Sequence, residues 1–104
     1  MRSILLFVLL AALVAGAPGT KAETVRVEIG KLVFAPVEIK AQVGDVIEWV
    51  NNDFVAHTAT ARDGLFDVML EPGKSGRYRV QQAGSIAYYC RFHPNMTGRV
   101  SVGR

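Results

Sequence analysis

The chain has 104 residues, one cysteine, two histidines, and 12 Lys and Arg against 9 Asp and Glu, for a formal charge of +3. That length allows a single small domain with a marginal core, and one cysteine excludes an internal disulfide as its staple. The basic residues form no run that would track a phosphate backbone, so nucleic acid is excluded as the expected partner.

The first segment opens Met1-Arg2-Ser3 and carries no charge from Ile4 to Thr20. A positive residue, an apolar run over 4–14 and a small-residue stretch form the pattern of an export signal. The run is too short to span a bilayer, which takes roughly 20 apolar residues, so no stable membrane insertion is expected. A cut after Ala17 would leave Pro18 leading the chain, so cleavage is expected after Ala22. Residues 1–22 are therefore read as an export signal and 23–104 as the functional domain. Cleavage takes Arg2 and Lys21 with it, leaving ten of the 12 basic side chains against 9 acidic ones, and the charge falls from +3 to +1.

Short β-rich segments follow, separated by turn signals. Residues 25–29 alternate apolar and polar side chains, as a half-buried strand does. Residues 32–34 follow Gly30 and end at Pro36. Residues 37–43 alternate again, with Val37, Ile39, Ala41 and Val43 on one face, before Gly44-Asp45 turns the chain. Residues 46–50 form the strongest strand signal, with Ile47 and Trp49 on the core face, and Asn51-Asn52-Asp53 breaks it. Further strands are expected over 57–61, 66–70, 76–81, 85–90 and 98–102. Roughly eight short strands with no helical periodicity between them predict an all-β fold, a Greek-key antiparallel β-sandwich.

The last turn carries the chemistry. Cys90-Arg91-Phe92-His93-Pro94-Asn95-Met96 places the only cysteine, a histidine and a methionine at three-residue intervals, and His57 lies upstream in a separate segment. One thiolate, two imidazoles and a thioether are the ligand set of a blue-copper centre, with Cys and two His in a trigonal plane and Met as a long axial ligand. Ile86, Tyr88 and Cys90 share one strand face, so the sulfur leaves the sheet at its end, where a short loop stiffened by Pro94 returns His93 and Met96. A buried structural thiol is the plainest alternative for Cys90, but an unpaired thiol in an exported chain is an oxidation liability. Met69 is the other candidate thioether in the domain. Tyr88, Tyr89 and Trp49 are read as packing residues, and Arg62, Arg91 and Arg99 as solvated surface.

With those residues in place, residues 33–102 resemble the type I copper proteins of the cupredoxin superfamily. The loop Cys90-x-x-His93-Pro94-x-Met96 is most similar to the amicyanin branch, and 43–52 and Pro72-Gly73 match the family's strand before the first ligand and its later turn. The resemblance implies one copper ion at one end of a β-sandwich, cycling between Cu(I) and Cu(II) in a periplasmic one-electron carrier that is not an enzyme. It implies His57, Cys90, His93 and Met96 as ligands, with electrons passing through the exposed edge of His93 inside an apolar rim of Pro94, Phe92 and Phe54. Redox proteins follow as partners of a monomer: a quinoprotein dehydrogenase, a c-type cytochrome or a terminal reductase. The residue after the first ligand departs from the family, being Thr58 where Asn usually ties the two ligand loops together, and Ile86 stands where Tyr is frequent. Two rival functions remain open at this stage. A copper storage or delivery protein would have an exchangeable site, and a zinc-binding structural module would use Cys and His, with the thioether weighing against it.

Overall fold

Alternation along the strands sets the two inner faces of the molecule. In a computed structural model, which describes residues 21–104, β4 (Val46–Asn51) turns Ile47, Trp49 and Asn51 inward. β8 (Gly84–Tyr89) does the same with Ile86 and Tyr88, and β9 (Thr97–Gly103) with Gly98, Val100 and Val102. The expected export signal lies, apart from Lys21 and Ala22, outside the described residues. The remaining strands are β1 (Thr24–Gly30), β2 (Val33–Ala35), β3 (Glu38–Gln42), β5 (His57–Ala61), β6 (Asp67–Leu70) and β7 (Ser75–Arg79).

They form a four-stranded sheet in the order β2-β1-β4-β7 and a five-stranded sheet in the order β3-β9-β8-β5-β6. The sandwich is the expected one, but each sheet is mixed: β1 pairs with β4 and β3 with β9 in parallel. The chain leaves the first sheet after β2, passes through β3 and returns beside β1, so β4 enters in the same direction as β1. Alternation within single strands carries no trace of such a crossover.

Two strand readings shift for physical reasons. Val37 and Val43 are 49% and 45% exposed, leaving Ile39 and Ala41 as the core face of β3. Both valines lie just beyond the ends of β3, an edge strand, where the Val37 carbonyl accepts the Arg99 N–H and the Val43 N–H donates to the Gly103 carbonyl of β9 while their side chains reach the rim of the sheet. Leu32 belongs to the turn instead of β2: Lys31 and Leu32 both adopt positive φ, 53° and 63°, in the two-residue connection between β1 and β2. Positive φ at both central residues is what a tight hairpin turn demands.

Between the sheets, Trp49, Phe34, Phe66 and Tyr88 pack with ring centroids 4.8 to 5.9 Å apart. Burial pushes the Tyr88 phenol up to about 12, with Trp49 offsetting it only in part, so the ring stays neutral. The reading of Tyr88 and Trp49 as packing residues agrees with their complete burial.

At the end of the sandwich that holds the β3–β4 turn, the Asp45 carboxylate accepts the N–H of Glu23 at 2.9 Å and of Gln42 at 2.8 Å. These two bonds, Glu23 first, hold Asp45 below its ordinary value of 3.8. A carboxyl depressed on folding stabilises the native state above its unfolded pKa and loses that contribution as pH falls through the folded value. Asp45→Asn should therefore lower Tm at neutral pH and flatten the decline of stability below about pH 4. Unfolding curves between neutral pH and acid would show this, and parallel pH profiles for the two proteins would contradict it.

Candidate metal centre

Four connections gather at the opposite end. Asn51 ends β4 and turns its fully buried side chain into the loop ahead of His57. Its Nδ2 donates to the carbonyls of Val55 and Leu70, both at 2.9 Å, and its Oδ1 accepts the Asp53 N–H. All three bonds fix the curvature of 52–56, so His57 enters β5 in a set orientation. In the sequence Asn51 stands out only as the first residue of the strand-breaking run Asn51-Asn52-Asp53; its inward register on β4 was the available signal.

Asp53 was read only as a strand breaker, and here the structure adds a functional residue. Its carboxylate accepts the N–H of Lys31 at 2.7 Å and of Leu32 at 3.0 Å, pinning the left-handed turn. Oδ2 also lies 2.8 Å from His57 Nε2. Burial would raise the Asp53 carboxyl, but the Leu32 N–H, the His57 ring and the Lys31 N–H together hold it below its ordinary range. A carboxylate can only accept, so His57 carries its proton on Nε2 and leaves the Nδ1 lone pair free.

That free nitrogen points at sulfur. Cys90 Sγ lies 3.7 Å from His57 Nδ1 and 3.8 Å from His93 Nδ1, and the three donor atoms all fall within 4.8 Å of one another. Bonds of about 2.3 Å to sulfur and 2.0 Å to nitrogen, set about 120° apart, separate S and N by about 3.7 Å. The spacing fits a shared first-row metal ion. Cys90 and His57 are fully buried and His93 is half-buried, its ring centroid 5.0 Å from that of His57.

The loop is closed from within. Met96 N–H donates to the His93 carbonyl at 2.8 Å, and Cys90 N–H to the Met96 carbonyl at 3.1 Å. Met96 is 4% exposed and lines a shallow surface cavity with Leu32, Phe92, His93, Pro94 and Asn95. Met69, the rival thioether, is 49% exposed on β6, whereas Met96 is buried in the loop that carries Cys90 and His93. A thiolate, two neutral imidazoles and a thioether are soft and borderline donors that suit copper over harder ions.

Thr58 bridges the two ligand segments. Its N–H donates to Cys90 Sγ at 3.3 Å, and its Oγ1 accepts the Arg91 N–H at 2.8 Å. The arginines behave as expected of surface residues, each with a local contact: Arg62 over the Tyr89 ring at 4.4 Å, Arg91 Nε to Asp67 at 3.1 Å, and Arg99 to Ser85 at 2.8 Å.

Comparison with known proteins agrees with this geometry. The family model for a cupredoxin-like domain matches residues 3–102. The chain is 28% identical to amicyanin from Paracoccus versutus over 87 residues, covering 78% of this chain and 66% of the relative, so it spans just under two thirds of that relative's length. A solved structure of the Cu(I) form of an amicyanin variant superimposes with a TM-score of 0.72 at 25% identity, covering 86% of this chain and 89% of that one. A purple cupredoxin from Nitrosopumilus maritimus aligns with a TM-score of 0.67 at 26% identity, covering 76% and 99%. The chain belongs to the cupredoxin-like family and is similar to amicyanins.

Proposed function

We propose that this chain is a one-electron carrier in which Cys90, His57, His93 and Met96 would hold one copper ion. The observation that carries the reading is the placement of Cys90 Sγ 3.7 and 3.8 Å from two imidazole Nδ1 atoms supplied by two separate segments, the start of β5 and the β8–β9 loop. Copper, when bound there, supplies a one-electron Cu(II)/Cu(I) couple. The protein's part is to hold the donors still, so that little moves when the charge changes. Asn51, Asp53 and Thr58 serve that end by cross-linking the loops before any metal arrives.

Burial of Cys90 and His57 favours a retained ion over the copper storage or delivery alternative, which needs open, exchangeable ligands. Half-buried His93 is the route by which an electron enters and leaves. Leu32 and Phe92, each 47% exposed, line a surface cavity with His93, and Phe54 and Val55 are exposed in the β4–β5 connection, so that apolar surface suits brief docking with a redox protein. A quinoprotein dehydrogenase, a c-type cytochrome or a terminal reductase would meet that description, and the export pattern of 1–22 supports the periplasm as the compartment of exchange. Voltammetry of the copper-loaded protein tests the reading: a reversible one-electron wave is expected, and rapid loss of copper to a chelator with no reversible wave would favour delivery.

The role of Asp53 gives a further expected result. A carboxylate behind a ligating histidine fixes its tautomer and ring, and removing such a partner costs about 10- to 100-fold in metal affinity. Asp53→Ala should weaken copper binding by that factor, measured by competition with a calibrated chelator. An unchanged affinity would remove Asp53 from the site.

A further inference from the structure

Beyond Thr58, a hydrogen-bond chain runs from the ligand loop to the surface of the five-stranded sheet. Thr58 Oγ1 lies 2.8 Å from Thr60 Oγ1, Thr60 Oγ1 donates to Asp67 Oδ1 at 2.8 Å, and Arg91 Nε donates to that same oxygen at 3.1 Å. Thr58 and Thr60 stand two apart on β5 and so share a face, and Asp67 sits opposite Thr60 on β6.

Proton counting fixes the direction of every link. A carboxylate only accepts, so the single Thr60 hydroxyl proton is committed to Asp67. The Thr60 oxygen must then accept from Thr58, and Thr58 Oγ1 in turn offers its lone pair to the Arg91 N–H. The order is Arg91 N–H to Thr58 to Thr60 to Asp67, and the Arg91 side chain returns to the same carboxylate. The Thr60 hydroxyl, with the Arg91 guanidinium beside it, keeps Asp67 below its ordinary value against a smaller opposing desolvation, so the chain ends on a charge at neutral pH. Hydrogen bonds in such a series polarise one another.

Arg91 directly follows Cys90, and the circuit grips it by both backbone and side chain. A lone Thr hydroxyl offers less than the Asn frequent at this position; here Thr60 and Asp67 complete the second half of the bridge. We propose that Thr60 and Asp67 are positioning residues of the metal loop, holding Thr58 so that its N–H stays on Cys90 Sγ and thereby raising the reduction potential of the centre. A donor on the sulfur withdraws density from the metal bond and favours the reduced ion. The potential rests on the copper reading above, whereas the hold on Arg91 does not.

Thr60→Val, Thr60→Ser and Asp67→Ala separate the two. Thr60 is half-buried and Asp67 exposed, so these changes leave the core intact. In metal-free protein, amide hydrogen exchange at Arg91 should quicken about fivefold in Thr60→Val and in Asp67→Ala, the ratio that one neutral hydrogen bond is worth. In copper-loaded protein the same variants should show a lower potential, the double variant should add little, and Thr60→Ser should restore both readouts. Unchanged Arg91 exchange in both variants, or no rescue by Ser, would overturn the circuit. Faster exchange with an unmoved potential would overturn its influence on the centre. Faster exchange in a protein that takes up no copper would instead overturn the copper reading and leave the loop's support standing.

Discussion

Cys90→Ser should fold, yet lose the visible colour of the cupric protein and its reversible redox wave. The thiolate is the one ligand whose bond to copper is strongly covalent, and that bond produces the intense visible absorption of such centres. Serine preserves the local structure: its oxygen can still accept the Thr58 N–H that reaches Sγ at 3.3 Å, and the side chain is smaller than the one it replaces. The stability cost should stay near the average for a single substitution, about 1 kcal/mol. Copper affinity should drop by at least about 100-fold, since losing even an outer partner of a ligand costs up to that factor. Absorption spectroscopy and chelator competition on the folded variant read both quantities. A variant that kept the band would show that sulfur is not the ligand responsible.

Gly98→Ala should be among the most destabilising single-methyl changes in the domain. Gly98 sits directly opposite Tyr88 in the β8–β9 ladder, and the Tyr88 ring lies across it. A Cβ at Gly98 would fall well inside van der Waals contact with Tyr88 Cζ, Oη and Cε1. Tyr88 has nowhere to retreat, because it is fully buried against Phe34, Trp49 and Phe66. Overpacking of this kind costs typically 1–3 kcal/mol, and a clash with a locked ring belongs at about the upper end. About 3 kcal/mol corresponds to a fall in Tm of roughly 15 °C for a domain of this size. Chemical denaturation would give the free energy directly, and a cost below about 1 kcal/mol would mean that the ring moves freely. Gly98 follows Met96 by two residues, so the same change should also disturb the ligand loop.

Most of the site was legible because its chemistry resides in rare residues. Two histidines, one cysteine and few methionines leave little choice of ligand set, and the three-residue intervals from Cys90 to Met96 fix a loop short enough to close on itself. The sandwich was legible for a similar reason, since period-two alternation in β4, β8 and β9 reports directly on which face is buried. What escaped was whatever depends on contacts between distant segments. Asp53 reads as a turn residue until the β1–β2 hairpin folds over it, and nothing near Thr60 or Asp67 points to Arg91, 24 residues away from Asp67. The parallel pairing of β1 with β4 and of β3 with β9 is likewise a property of the crossover, not of either strand.

The centre also explains how so small a domain holds its shape. Asn51, Asp53 and Thr58 join the β1–β2, β4–β5 and β8–β9 connections into one unit in the protein alone. A metal ion bound across Cys90, His57 and His93 would add a link that the missing disulfide cannot provide, stabilising the native state by its differential affinity for it.

Titration of the metal-free protein with Cu(II), followed by visible absorption, is the most direct measurement of the central claim. An intense band should grow linearly and stop at one equivalent per chain. A colourless product, or an end point far from one, would contradict the assignment of Cys90, His57, His93 and Met96 to a single copper ion.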